Sequence, residues 1–203
     1  MPLSAEAVRA NLARVRAEVG PKVVIVVATK YVAADEMEAL ARAGVEVVGE
    51  NRLQDLEVKQ ARHGGAFRWH FIGHLQSRKA RDVSARCDLV HSLGSLSAAR
   101  RLTAPALVEV NLSGEATKSG VAEADLDAFL AEARSLGVDV RGLMTMPPLA
   151  DDPEASRPYF RRLRELAQER GLRELSMGTS QDYRVAAEEG ATLVRVGSLL
   201  LGR

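Results

Sequence analysis

The stretch KVVIVVATK, residues 22–30, decides the fold, because six consecutive apolar residues follow its first lysine. A strand that is apolar at every position is typical of a parallel sheet that is covered on both faces. The amphipathic run after it, Ala34–Ala43, is followed by Gly44, and glycine commonly ends a helix. Together the two runs predict a strand followed by a helix, which is the repeating unit of α/β proteins.

The same alternation continues along the chain. Short apolar runs predict eight strands, at Lys22–Ala28, Val45–Gly49, Arg68–Ile72, Leu89–Ser92, Ala106–Asn111, Asp139–Met144, Glu174–Met177 and Thr192–Gly197. Amphipathic runs predict the helices, at Ser4–Val19, Ala34–Ala43, Arg52–Ala61, Leu75–Ala85, Leu96–Leu102, Glu123–Leu136, Pro153–Arg170 and Asp182–Glu189. This even spacing favours an α/β fold with one domain over residues 1–203, a (β/α)8 TIM barrel. A doubly wound open sheet is the alternative, because periodicity does not show closure.

Length and composition exclude several classes of protein. The 203 residues, 46% of them hydrophobic, suffice for one sizeable core. Basic and acidic residues number 28 and 27, a balance that argues against nucleic-acid and membrane-surface binding and is compatible with a monomer. Cys87 is the single cysteine, so we expect no internal disulfide and a reducing, cytoplasmic location. No apolar run is long enough to span a bilayer.

Lys30 follows the apolar stretch at its carboxyl end, where the active sites of such barrels lie. We expect its amine to be partly desolvated, which favours the neutral form that a Schiff-base lysine needs. The alternative is a lysine that lies along apolar surface and pairs with a carboxylate. Five of the 28 basic residues are lysines (22, 30, 59, 79 and 118), and Lys30 alone directly follows a predicted buried strand.

Small residues follow the last two predicted strands, in the runs SMGTS (176–180) and RVGS (195–198). Backbone N–H groups at the ends of these strands commonly bind phosphate in TIM barrels. Ser180 is expected to begin a helix, so that its hydroxyl points at a bound anion. The alternative is that Ser180 only caps its helix and that Gly197 only permits a turn.

Two further polar residues follow or lie in predicted strands. Asn51 could line a pocket or cap the next helix. His70, on an apolar strand, is predicted to be a hydrogen-bonded residue of the core or of the pocket wall. His70 and His74 lie on either side of a glycine, without a cysteine or third ligand, so the sequence predicts no metal site.

Eight short motifs, in their order and spacing, carry a resemblance to a known family. They are VATK (27–30), GENRLQ (49–54), WHFIGHLQSRK (69–79), VNLS (110–113), KSG (118–120), GLMTM (142–146), SMG (176–178) and VRVG (194–197). The chain resembles the pyridoxal phosphate homeostasis proteins (the YggS/PROSC type), which share the barrel of bacterial alanine racemase. The resemblance implies binding of pyridoxal 5′-phosphate (PLP) in a barrel of the alanine racemase N-terminal type. The chain departs from the family pattern at Thr179, where methionine is usual.

The resemblance also implies a role for particular residues. Lys30 would hold PLP as an internal aldimine. Arg195 would face the pyridine nitrogen, and Ser180 with two backbone N–H groups would hold the phosphate. The full implied binding set is Lys30, Asn51, Met177, Ser180, Arg195, Gly197 and Ser198.

Three functions compete on this basis. The first is a non-catalytic PLP carrier, with PLP-dependent apoenzymes as recipients. It is favoured over a broad transaminase because arginine can donate to the pyridine nitrogen but does not supply it with a proton. The second is an amino-acid racemase, which needs a second base besides Lys30. Tyr31 is the neighbouring tyrosine, and it is expected to point away from Lys30 if the chain there is extended. The third is a cofactor-free isomerase of a phosphorylated substrate, with Glu50 or Glu109 as its base.

Overall fold

Nine strands form a parallel sheet in the computed structural model, which describes residues 3–115 and 119–202. In chain order they are β1 (Val24–Ala28), β2 (Val47–Glu50), β3 (Arg68–Phe71), β4 (Leu89–Leu93), β5 (Ala106–Asn111), β6 (Val121–Ala122), β7 (Val140–Met144), β8 (Glu174–Ser176) and β9 (Leu193–Val196). β1 pairs with both β2 and β9, and β4 pairs with β5, so eight strands close into a barrel, and β6 pairs with β5 outside this ring. The predicted barrel is confirmed, and the open sheet is wrong.

The helices cover the outside of the barrel. They are α1 (Ala5–Val19), α2 (Met37–Arg42), α3 (Leu53–His63), α4 (Ala80–Ser84), α5 (Leu96–Ala99), α6 (Leu126–Ser135), α7 (Arg157–Glu169), α8 (Tyr183–Glu188) and α9 (Ser198–Leu201). The sequence pattern missed β6 and α9, because elements of two and four residues are too short for a period to show. Within the described residues, no helix has both the length and the apolar composition to cross a membrane. Lys118, in the KSG motif, lies outside the described residues.

Alternate residues of each strand face opposite sides of the barrel wall. Val27 and Val48 belong to the large apolar cluster shared with the helices. Val26, Val47 and Leu193 belong to a smaller cluster made of strand residues together with Ile72, which directly follows β3. Because both faces are covered in this way, the strands are apolar at successive positions, as the stretch at residues 22–30 predicted.

Candidate functional site

A cleft of about 460 Å³ lies at the carboxyl ends of β1, β2 and β9. Six of the seven predicted binding residues line it: Lys30, Asn51, Ser180, Arg195, Gly197 and Ser198. They come from four separate segments of the chain, and closure of the barrel between β1 and β9 brings these segments together. Tyr31, Ile72 and Met146 complete much of the wall.

Met177 is the predicted residue that does not reach this cleft. Its side chain is fully buried in the apolar cluster between the strands and the helices. Ser176 precedes it and faces the barrel interior, where it bonds to His91 and Arg195, so the next residue faces outward. Met177 therefore packs in the core and lies apart from the other six.

Lys30 lies at the cleft but is more exposed than the sequence led us to expect. Its side chain is exposed, and Nζ lies 4.8 Å from the centroid of the Tyr31 ring, in a cation–π contact. The prediction of a partly desolvated amine is wrong for this arrangement. Tyr31 was expected to point away from Lys30 if the chain there were extended. Residues 30 and 31 instead form a turn, so this condition is not met, and both side chains line the cleft.

A buried ion pair fixes the backbone immediately before Lys30. Lys59 Nζ donates to the carbonyl oxygen of Thr29 at 2.8 Å and to Glu50 Oε1, which also accepts from the Thr29 hydroxyl. Glu50 is 0% exposed and Lys59 is 5% exposed. Glu50 therefore faces the helices in an ion pair, and it does not serve as the base of the isomerase alternative. Sequence reasoning missed Lys59, although its spacing from Leu53 and Leu56 places it on the buried face of α3.

Asn51 directly follows Glu50 at the end of β2. The N-cap residue of α3 is Arg52, whose side chain makes no capping hydrogen bond, so the capping alternative for Asn51 is wrong. Its Oδ1 atom is buried and has no hydrogen-bond partner within the described residues. Buried polar atoms are nearly always hydrogen-bonded, so an unpaired amide oxygen in the cleft wall fits a site that takes a polar ligand.

The loops after β8 and β9 meet at the other wall of the cleft. Ser180 Oγ accepts a hydrogen bond from the backbone N–H of Gly197 at 3.1 Å. Ser180 lies in the turn before α8, whose N-cap is Asp182, so the expectation that Ser180 begins or caps that helix is wrong. A Cβ at residue 197 would lie 3.3 Å from the carbonyl oxygen and Cβ of Ala28, so glycine lets β9 approach β1 closely there. A hydroxyl group beside Gly197 and Ser198 is the kind of surface that binds an oxyanion.

Arg195 forms the base of the cleft. It is 6% exposed, and its guanidinium donates to Ser176 Oγ, to the Thr145 carbonyl oxygen at 3.1 Å and to Met146 Sδ at 2.8 Å. Burial lowers the pKa of Arg195 to about 10, against the opposing charges of Asp182 and Glu109. The side chain therefore stays protonated at neutral pH and offers a fixed donor to the space above it.

A chain of hydrogen bonds continues from Arg195 across the barrel interior. His91 Nδ1 lies 2.8 Å from Ser176 Oγ, and His91 Nε2 lies 2.9 Å from His70 Nδ1. Burial lowers the pKa of His70 to about 4, and burial with the neighbouring His70 and Arg195 holds the pKa of His91 well below its usual range. Both imidazoles are therefore neutral at pH 7. When Arg195 donates to Ser176 and the Ser176 hydroxyl donates to His91 Nδ1, the proton of His91 lies on Nε2. This N–H then donates to His70 Nδ1, so the proton of His70 also lies on Nε2.

His70 is thus the hydrogen-bonded interior residue that the sequence predicted. His91 and Ser176 were missed, because only strand register shows that they face the same interior layer. Among the residues that the structure describes, no group of three or more histidine, cysteine, aspartate or glutamate side chains is placed to hold an ion.

Comparison with known proteins agrees with this architecture. The family model for the alanine racemase N-terminal domain matches residues 3–203. The pyridoxal phosphate homeostasis protein of Aquifex aeolicus is 41% identical over 192 residues, covering 86% of this chain and 84% of that protein. The protein of the same name from Deinococcus radiodurans is 40% identical over 210 residues, covering 98% and 99%.

Solved structures extend the likeness to three dimensions. PipY of Synechococcus elongatus, solved with PLP bound, has a TM-score of 0.87 and 34% identity, covering 96% of this chain and all of that one. The alanine racemase of Corynebacterium glutamicum, at 15% identity and a TM-score of 0.77, shares the fold. The chain belongs to the alanine racemase N-terminal domain family and, within it, to the pyridoxal phosphate homeostasis proteins.

Proposed function

We propose that this protein binds PLP in the cleft above Arg195 and acts in PLP homeostasis as a carrier without a catalytic reaction of its own. The observation that carries the proposal is the meeting, in one cleft, of the Lys30 amine, the Ser180 hydroxyl beside Gly197, and the buried Arg195 guanidinium. The name of the curated relatives and the PLP-bound structure of PipY support it.

The residues present suit the chemical groups of PLP. When bound, PLP supplies an aldehyde that a primary amine can attack and a pyridine ring that withdraws electrons. Lys30 offers the amine. The Ser180 hydroxyl, whose oxygen accepts from the Gly197 N–H, can donate its hydrogen to the phosphate together with the backbone N–H of Ser198. Asn51 Oδ1, which is buried and unpaired, offers an acceptor to a hydroxyl group.

Arg195 supports a carrier rather than a broad transaminase. Its guanidinium is protonated at neutral pH and is held by Ser176 and Thr145, so it can donate a hydrogen bond to the pyridine nitrogen. It does not give up a proton at neutral pH, so the ring remains a weak electron sink. We also propose that PLP-dependent apoenzymes receive the PLP and that the carrier works as a monomer.

The racemase alternative rests on Tyr31, which lines the cleft. Racemisation needs bases on opposite faces of the substrate, whereas the Tyr31 ring lies against the Lys30 amine itself. Assays for racemisation and transamination of several amino acids, on the PLP-loaded protein and on Tyr31→Phe, distinguish the two functions. Turnover that Tyr31→Phe abolishes would support the racemase and overturn the carrier.

Titration of the full-length protein tests binding, with PLP compared against pyridoxal as its matched control. We expect saturable binding of PLP, seen as a visible absorption band, and much weaker binding of pyridoxal, because pyridoxal lacks the phosphate. Equal affinity for the two would contradict a phosphate site at Ser180 and Gly197.

A further inference from the structure

Glu109 is a buried carboxylate that the proposed function does not use. It lies in β5, is 6% exposed, and forms part of the wall of two hollows at the mouth of the barrel. Within residues 3–115 and 119–202, its carboxylate makes one hydrogen bond, from the Ser119 hydroxyl to Oε1 at 2.6 Å. The nearby Arg195 donates instead to Ser176, Thr145 and Met146. A buried carboxylate is costly unless a cation or several donors compensate it.

Two glycines lie close to Glu109. A Cβ at Gly120, where φ is +111°, would lie 3.0 Å from the Glu109 carbonyl oxygen and 3.2 Å from its Cγ. A Cβ at Gly94 would lie 4.0 Å from Glu109 Oε2. Glycines on two separate segments thus let the chain approach Glu109 closely, and Oε2 lies beside Gly94, which also lines the hollow.

Apart from Glu109 and His74, the polar side chains that line this hollow carry no charge. A space of about 270 Å³ is lined by Glu109, His74, Gln76 and the serines at 77, 92, 95 and 119. Serine hydroxyls accept hydrogen bonds as well as donate them, and Ser92 already donates to the Gly73 carbonyl, so its lone pairs remain as acceptors. The Glu109 carboxylate together with these uncharged acceptors matches a small cation that donates several hydrogen bonds, as a primary ammonium does.

We propose that the hollow at Glu109 is a binding site for a primary ammonium group, either the α-ammonium of an amino acid or a lysine side chain. The second hollow that Glu109 lines, about 410 Å³, shares Met146 with the cleft of Lys30, so the amine would sit at the same barrel mouth as the cofactor site. The site does not depend on the proposed function, since its occupancy can be measured on the chain without PLP. The PipY structure without PLP has the same fold, at a TM-score of 0.88.

The test is an NMR titration of the full-length protein freed of PLP. The probes are L-alaninamide for the α-ammonium, Nα-acetyl-lysine methylamide for the side-chain ammonium, and tetramethylammonium as a cation that donates no hydrogen bond. We expect saturable shifts of the Gly94, Ser119 and Gly120 amide signals with at least one of the two amines. The amine that binds more tightly identifies the source of the ammonium.

Glu109→Gln keeps the shape of the side chain and should weaken amine binding by at least about tenfold, while Glu165→Gln on α7 should leave it unchanged. If Glu109→Gln does not fold, Ser119→Ala, which removes the hydroxyl bonded to Glu109, should still alter the affinity. Absence of saturable binding, equal binding by Glu109→Gln, or equal binding of tetramethylammonium would overturn the proposal. Displacement of the amine by a stoichiometric divalent metal would also overturn it, by making the site a metal site.

Discussion

Arg195 donates a hydrogen bond to the Ser176 hydroxyl inside the barrel, between two strands that are neighbours in the sheet. Ser176 connects Arg195 to His91, and His91 contacts His70. The guanidinium at the base of the cleft is therefore held in one orientation by neutral partners. This arrangement makes Arg195 a fixed donor rather than a mobile surface cation.

Replacing Arg195 should weaken PLP binding without preventing folding. A hydrogen bond that involves a charged group contributes about 1.5–3 kcal/mol, so we expect Arg195→Ala to raise the Kd for PLP by about ten- to a hundredfold. Absorption titration measures the Kd, and circular dichroism checks the fold. Arg141→Ala, which removes an exposed arginine on β7, is the matched control. An unchanged Kd in Arg195→Ala would show that Arg195 does not contact the ring.

Ser180→Ala should affect PLP and pyridoxal differently. The variant loses the hydroxyl that accepts from Gly197, so we expect a Kd for PLP about tenfold higher and a nearly unchanged Kd for pyridoxal. Ser135→Ala, at the exposed end of α6, should bind both as the parent protein does. Parallel titrations with the two compounds give the comparison. An equal loss of affinity for both would assign Ser180 to some part of the site other than the phosphate.

The Lys59–Glu50 pair should matter for stability. Removing one partner of a buried ion pair leaves an uncompensated charge, so Lys59→Met should lower the free energy of unfolding by about 3–5 kcal/mol. The double variant Lys59→Met with Glu50→Gln should recover part of that loss, because no buried charge remains. Urea unfolding of the single and double variants measures both effects. A loss below about 1 kcal/mol in Lys59→Met would mean that solvent reaches the pair.

Stability should fall in mild acid because of His70. Burial holds its folded pKa at about 4, below the ordinary value of 6.5, so the unfolded chain binds the proton first as the pH falls. The contribution of His70 to the free energy of unfolding is about 3 kcal/mol in total. It is fully present above pH 6.5 and is lost as the pH falls from 6.5 through about 4. Chemical unfolding at several pH values should give a shallower decline for His70→Gln than for the parent. The same slope in both proteins would contradict a buried, neutral His70.

The sequence predicted the barrel well because its strands are apolar on both faces, as residues 22–30 illustrate. Strand ends in a parallel barrel converge on one face, which pointed to Lys30 and to the runs around Ser180 and Gly197, and the family resemblance completed the six residues that line the cleft. It did not predict that Met177 faces the helices, because a shift of one residue along a strand moves the side chain to the opposite face of the sheet. His91 and Ser176 escaped notice for the same reason, since their meeting depends on the register of distant strands. The exposure of Lys30 depends on the turn at residues 30 and 31, which the pattern does not specify.

The central claim is that Lys30 anchors PLP, and reduction with borohydride followed by peptide mass mapping tests it most directly. The absorption spectrum of the purified, PLP-loaded protein is recorded before and after reduction. We predict a visible band that reduction removes and a pyridoxyl adduct on Lys30, with neither in Lys30→Ala, which should still fold. A chromophore that persists in Lys30→Ala, or an adduct on one of the other lysines at 22, 59, 79 or 118, would contradict the account.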